Sequence, residues 1–146
     1  MEAFLSMIAY SEGTSTIQDS DNGYNVLVGG ALFHSYADHP RRHIYCKRLN
    51  VWSTAAGRYQ ILERFYDAYK HMLGLSDFGH NSQDKIAMQL IKECDATVDI
   101  DLGNIAIAIN KCRSRWASLP NSGYGQHENK KNDLLMAYLE KGGKLA

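Results

Sequence analysis

IAYSEGTSTIQDSDNGYNVLVGG, residues 8–30, changes character twice within one short run. Its start continues an apolar stretch with helical spacing: Phe4 and Ile8 share a stripe with Leu5, and Glu12 follows Ile8 by one turn. Residues 13–23, GTSTIQDSDNG, are turn formers. Then YNVLVGGALF carries the β-branched and aromatic content of a strand, with Gly29-Gly30 as a turn. A helix that ends on a lone acid and gives way to β structure frames the rest of the reading.

Outward from there, HIYCKRLNVW reads as a further strand after a turn at Asp38-His39-Pro40, which predicts a small antiparallel sheet over roughly residues 24–52. After Ser53-Thr54 the period becomes helical. AGRYQILERFYDAYKHML places Tyr59, Leu62, Phe65, Tyr66, Tyr69 and Leu73 on one face, and Gly74 closes it. A second helix is expected after Asn81-Ser82, with Ile86, Leu90 and Ile91 inward. A third is expected after Asp101, with Leu102, Ile105, Ile109 and Cys112 inward. SLPNSGYGQ is a loop, and a last helix runs from about His127 to Lys141. One helix, a small sheet, then several helices is an α+β arrangement with the sheet segregated from a helical body. Two lobes of that kind leave a groove, and Glu12 is expected at the junction.

The totals fit one domain spanning residues 1–146. Sixteen basic and sixteen acidic residues cancel, so no whole-molecule field advertises nucleic acid or an anionic membrane as partner. Cys46, Cys94 and Cys112 are an odd, widely spaced set without CxxC, read as reduced thiols. The start has no basic n-region, and its apolar run is broken by Ser6 and ended by Ser11, so neither a signal peptide nor an anchor is expected. His34, His39 and His43 have no further ligand motivated by spacing, so no metal site is expected.

Three places suggest chemistry. Glu12 lies at a helix C-terminus, against the dipole. An acid there is either a solvated end or a local inconsistency accepted for function. In STAAGRYQIL, residues 53–62, a Ser/Thr cap and a core face explain Tyr59 and Leu62 but not Gly57, which suits close approach of a ligand or another backbone. Gln60 offers an amide to a sugar. The loop NSGYGQ, residues 121–126, reads equally as a flexible turn or as a lip on which Tyr124 stacks against a sugar while Gln126 hydrogen-bonds it.

AFLSMIAYSEGT, GYNVLVGG, YADHPRR, STAAGRYQ, SQDKIAMQLIKE and WASLPNSGYGQ, in this order, resemble the lambda-type phage endolysins, from Ala3 to about Gly143. The resemblance implies a lysozyme-like α+β fold: a mainly helical body, a small antiparallel sheet lobe and a saccharide cleft between them. It implies a lytic transglycosylase that cleaves the β-1,4 bond between N-acetylmuramic acid and N-acetylglucosamine in peptidoglycan and leaves 1,6-anhydromuramoyl ends. Glu12 matches the catalytic glutamate. Ser53, Gly57, Tyr59 and Gln60, with Ser118, Tyr124 and Gln126, lie on segments that flank the cleft.

The same resemblance implies no cofactor and a monomer acting on glycan strands, without nucleic acid or stable membrane association. It implies residence in the host cytoplasm until a separate holin admits the enzyme to the periplasm and wall. One alternative is a hydrolytic muramidase using Glu12 with Asp21, nine residues on. That spacing resembles the glutamate–aspartate pair of other phage lysozymes, although Leu27 stands where their pattern has threonine. A non-catalytic peptidoglycan-binding module is the remaining alternative.

Overall fold

The computed structural model describes residues 1–146. In chain order the elements are α1 (Glu2–Ser11), β1 (Ile44–Cys46), β2 (Val51–Ser53), α2 (Glu63–Leu73), α3 (His80–Glu93), α4 (Thr97–Leu102), α5 (Ile105–Cys112) and α6 (Lys131–Glu140). They belong to two compact units, Met1–Glu12 with Met88–Ala146, and Gly13–Ala87. This is the α+β arrangement expected, six helices and a small antiparallel sheet. No helix is long and apolar enough to cross a membrane.

In the first unit α1 packs against α6. Phe4, Met7, Ile8 and Ala9 are fully buried, and α6 contributes Leu134, Ala137 and Tyr138 to the core. Removing each large apolar side chain from water contributes about 1.5–3 kcal/mol, so α1 is firmly seated. Its C-cap is Glu12, whose backbone N–H still bonds Ile8 O at 2.9 Å. The carboxyl therefore starts from a rigid turn of helix.

The helix expected after Asp101 is α5, and a short helix not foreseen in the sequence, α4, precedes it. Gly103, at φ +79, stops α4, and a Cβ there would meet Lys144 O at 2.8 Å and the Leu145 carbonyl carbon at 2.9 Å. The break resets the helical face, so Leu102 is exposed while Ile105, Ile109 and Cys112 are buried. The last helix begins at Lys131 instead of His127, because Glu128 is engaged by the preceding loop and Asn129 by Ser118 and by Ser11 of α1.

In the second unit the sheet is smaller than expected. HIYCKRLNVW is not one strand but a hairpin, with Tyr45 opposite Trp52 and Cys46 opposite Val51. The turn is made at Lys47–Asn50, where Asn50 takes φ +51, a conformation that asparagine tolerates. GYNVLVGG supplies only isolated bridges, Val26 to Leu32 and Leu27 to Ala56. α2 starts at Glu63, about two turns later than its periodicity suggested. Ala56 bridges Ile61 instead, around a tight turn in which Gly57 has φ +82 and Gln60 φ +50. Tyr59, Tyr66, Phe78 and Ile86 fill this unit's core. α3 begins at His80, and Ile86, Leu90 and Ile91 are buried as read from the sequence. All three cysteines are free thiols.

Candidate active site

Glu12 and Ser118 are brought together from the two ends of the first unit. The Ser118 hydroxyl donates to Glu12 Oε1 at 2.9 Å. Ser118 is held in place by its neighbours: Trp116 and Leu119 are both buried, and Leu119 N–H closes a turn on Trp116 O at 3.1 Å. Behind the pair, Ser11 Oγ lies 2.8 Å from Ser118 Oγ. The Asn129 side-chain amide donates to Ser11 O at 2.9 Å and to Ser11 Oγ at 3.1 Å. Asn129 N–H also bonds Ser118 O at 2.8 Å, which closes the loop between them at its base.

Glu12 is half-buried, and burial pushes its carboxyl up to about 7, against a smaller lowering by the Ser118 hydrogen bond. An acid tuned there holds its proton on about half of the molecules at neutral pH and can part with it. That is the property needed of a general acid that becomes a base within one cycle.

The loop between Ser118 and Asn129 is tied internally. Glu128 accepts the backbone N–H of Asn121 at 2.8 Å and of Gly123 at 3.2 Å, and the Ser122 hydroxyl at 3.2 Å. Those bonds hold its carboxyl below the usual range. Tyr124 is exposed, with its hydroxyl pinned on Ser114 O at 2.8 Å, and Gln126 is exposed beside it. Tyr124 thus presents a fixed ring at the surface of this loop.

Asp21 belongs to a different constellation. Its Oδ2 accepts from the Tyr36 hydroxyl at 2.7 Å and from His80 Nε2 at 2.5 Å. The His80 ring in turn stacks on Tyr24 at 3.9 Å. These bonds, Tyr36 first, hold the Asp21 carboxyl below its ordinary value. Asp21 is a fully ionised, weakly basic carboxylate that ties down the loop entering the second unit.

Several residues expected to bind substrate have other occupations. Tyr59 is buried, and its hydroxyl donates to Asp84 Oδ1 at 2.6 Å, so it is a core residue. Gly57 does admit a close neighbour, but that neighbour is the Gln83 side chain, whose Cδ would lie 2.8 Å from a Cβ there. The Gln60 amide donates inward, to Gly57 O at 2.9 Å and Val26 O at 3.2 Å. Ser53 Oγ accepts the Ala55 N–H at 3.2 Å and lines a pocket of about 330 Å³ with His43, Trp52, Thr54 and Glu63. Ser118 touches the acid itself. His39 is no metal ligand: Nε2–H donates to Ile61 O at 2.9 Å, Nδ1 accepts the Arg41 N–H at 3.0 Å, and burial lowers its pKa.

The sequence reading missed Ser11, Asn129 and Glu128. Only Ser11, next to Glu12 on a buried helical face, had a local signal. It also missed Trp52, 68% exposed at the hairpin beside Tyr45, a large apolar surface of the kind that marks a binding face.

A half-buried carboxyl poised at neutrality on a lysozyme-like fold defines a glycosidic-bond-cleaving enzyme of the lysozyme type. The comparisons agree. A family model described as Endolysin matches residues 2–145. The endolysin of Escherichia phage lambda is 49% identical over 144 residues, covering 97% of this chain and 90% of the relative. The endolysin of Escherichia phage P2 is 43% identical over 152 residues, covering 97% and 92%. Bacteriophage lambda lysozyme, solved in complex with a chitohexasaccharide, superposes with a TM-score of 0.96 at 48% identity, covering 99% of this chain and 95% of that one. The chain belongs to the Endolysin family: it is a phage endolysin, a lysozyme-type enzyme that degrades peptidoglycan.

Proposed function

We propose that this endolysin is a lytic transglycosylase in which Glu12 is both acid and base. Protonated Glu12 gives its proton to the glycosidic oxygen as the bond from muramoyl C1 breaks. The C6 hydroxyl oxygen of the same sugar then closes onto C1, and its proton passes to the Glu12 carboxylate. The ring product is the 1,6-anhydromuramoyl end, the carboxyl regains its starting form, and no water is consumed.

The observation that supports this reading is the contrast between the two carboxyls. Glu12 is raised to about 7 and has a serine as its hydrogen-bond partner. Asp21, the second carboxylate a hydrolytic scheme would use, is lowered and engaged by Tyr36 and His80. The transglycosylase scheme leaves Asp21 in these bonds and asks only one carboxyl, Glu12, to titrate near neutrality. The exposed ring of Tyr124 and the amide of Gln126 suit stacking and hydrogen bonding to an acetamido sugar. No cofactor enters the scheme. The same reading has the enzyme act as a monomer that waits in the host cytoplasm for a holin to open the way to the wall.

Mass spectrometry of muropeptides released from purified peptidoglycan tests it. Anhydro products, lighter than hydrolytic ones by one water, are expected. Reducing-end products would establish hydrolysis with Glu12 and Asp21 instead.

A further inference from the structure

The hydrogens around Glu12 can be assigned one by one. The Asn129 amide nitrogen lies 2.9 Å from the Ser11 carbonyl oxygen, an acceptor only, so the NH2 group and not the amide oxygen faces Ser11. The same NH2 group therefore donates to Ser11 Oγ at 3.1 Å. Ser11 is buried, and the acceptor within reach of its own hydroxyl hydrogen is Ser118 Oγ at 2.8 Å. Ser118 must then accept from Ser11 and give its single hydrogen to Glu12 Oε1 at 2.9 Å. The opposite order would strand the Ser11 hydrogen in a buried position, which is unfavourable. The charged side chains next to Asn129 in sequence are Glu128, which is turned to Asn121, Ser122 and Gly123, and the exposed Lys130.

We infer that Asn129 is a positioning residue for Glu12, acting through a one-way relay, Asn129 to Ser11 to Ser118 to Glu12, that fixes Oε1 as an acceptor and leaves the transferable proton on Oε2. The relay rests on the reading of Glu12 as the acid. It orients the carboxyl, since an oxygen that receives a fixed O–H cannot rotate away without losing it. It also selects which oxygen faces the glycosidic bond. Hydrogen bonds in such a chain polarise one another, so the far end matters to the near end.

Ser11→Ala removes the middle link on a helix that favours alanine, and Asn129→Asp replaces the terminal donor by an isosteric acceptor that pulls the chain the other way. Both are expected to lower kcat by roughly ten- to a hundred-fold, as misorientation of a reacting group does, with KM little changed. The alkaline limb of the pH profile should move to higher pH, because the Ser118 hydroxyl, no longer oriented from behind, favours the ionised form of Glu12 less. Ser118→Ala should behave likewise, and Ser118→Thr, which keeps the hydroxyl, should restore kcat. Thermal melts establish that each variant is folded.

If Ser11→Ala is folded and matches the parent in kcat and pH profile, the relay is overturned, whatever Asn129→Asp does. A loss confined to KM overturns it as well. Glu12→Gln separates the two levels: an active Glu12→Gln sinks the acid reading itself, whereas an inactive Glu12→Gln beside an unperturbed Ser11→Ala sinks only the relay.

Discussion

The hydroxyl of Tyr36 stands 2.7 Å from Asp21 Oδ2, and this short bond fastens a carboxylate for which the proposed one-acid mechanism has no chemical task. Asp21→Asn is therefore expected to keep most of the lytic activity, measured as loss of turbidity of a peptidoglycan suspension. Its stability should fall by about 0.5–1 kcal/mol, the range for an exposed ion pair, and less at high salt. Because the Asp21 pKa is depressed, this stabilisation is present above its unfolded value near 3.8 and disappears as pH falls through the folded value. A folded but inactive Asp21→Asn would count against transglycosylation.

Glu12→Gln should abolish activity and stabilise the fold. The Glu12 carboxyl binds its proton more tightly when folded, so between its ordinary value of 4.5 and about 7 the native state holds more protons than the unfolded one. Stability of the parent then declines as pH rises through that window and levels off above it. The variant escapes the decline and should exceed the parent by on the order of 1–3 kcal/mol above pH 7, with little difference at pH 4. Paired thermal melts at the two pH values decide it.

The pH dependence of kcat/KM reports the free enzyme's acid. Activity should be flat approaching neutrality and fall as pH rises through about 7, when Glu12 loses its proton. A profile that holds level to pH 9 would mean that another group supplies the proton.

Gly57→Ala probes the turn that replaced the expected first helical turns of α2. With φ +82, and the Gln83 side chain and Phe78 against the position, alanine should cost roughly 2–4 kcal/mol. Activity per folded molecule should change little, since the space a Cβ would take at Gly57 is filled by Gln83 and Phe78. Comparison of melting temperature with kcat separates the two effects.

The helical parts of the fold were legible because periodicity is local: Ile86, Leu90 and Ile91 are buried as read. The β parts were less so. HIYCKRLNVW has strand composition throughout, yet the polar Lys47–Asn50 segment bends it into a hairpin, and nothing in composition separates a strand from a tight hairpin there. AGRYQIL continues a helical stripe, but the positive φ of Gly57 and Gln60 belongs to a turn stabilised by partners far along the chain. The place of Glu12 at the end of α1 was legible from its spacing after Ile8. Asn129 was not, because its role exists only once residues 118 positions apart meet.

The unit that holds Glu12 is assembled from both ends of the sequence, with α1 seated on α6. During translation α1 leaves the ribosome long before Ser118, Asn129 and α6 exist to complete its surroundings. A nascent or prematurely terminated chain carries Glu12 on an unpartnered apolar helix, with neither the burial nor the serine that tune it. On the proposed mechanism catalytic competence is thus deferred until nearly the whole polypeptide has been made, so fragments left by stalled synthesis carry the acid without its chemistry.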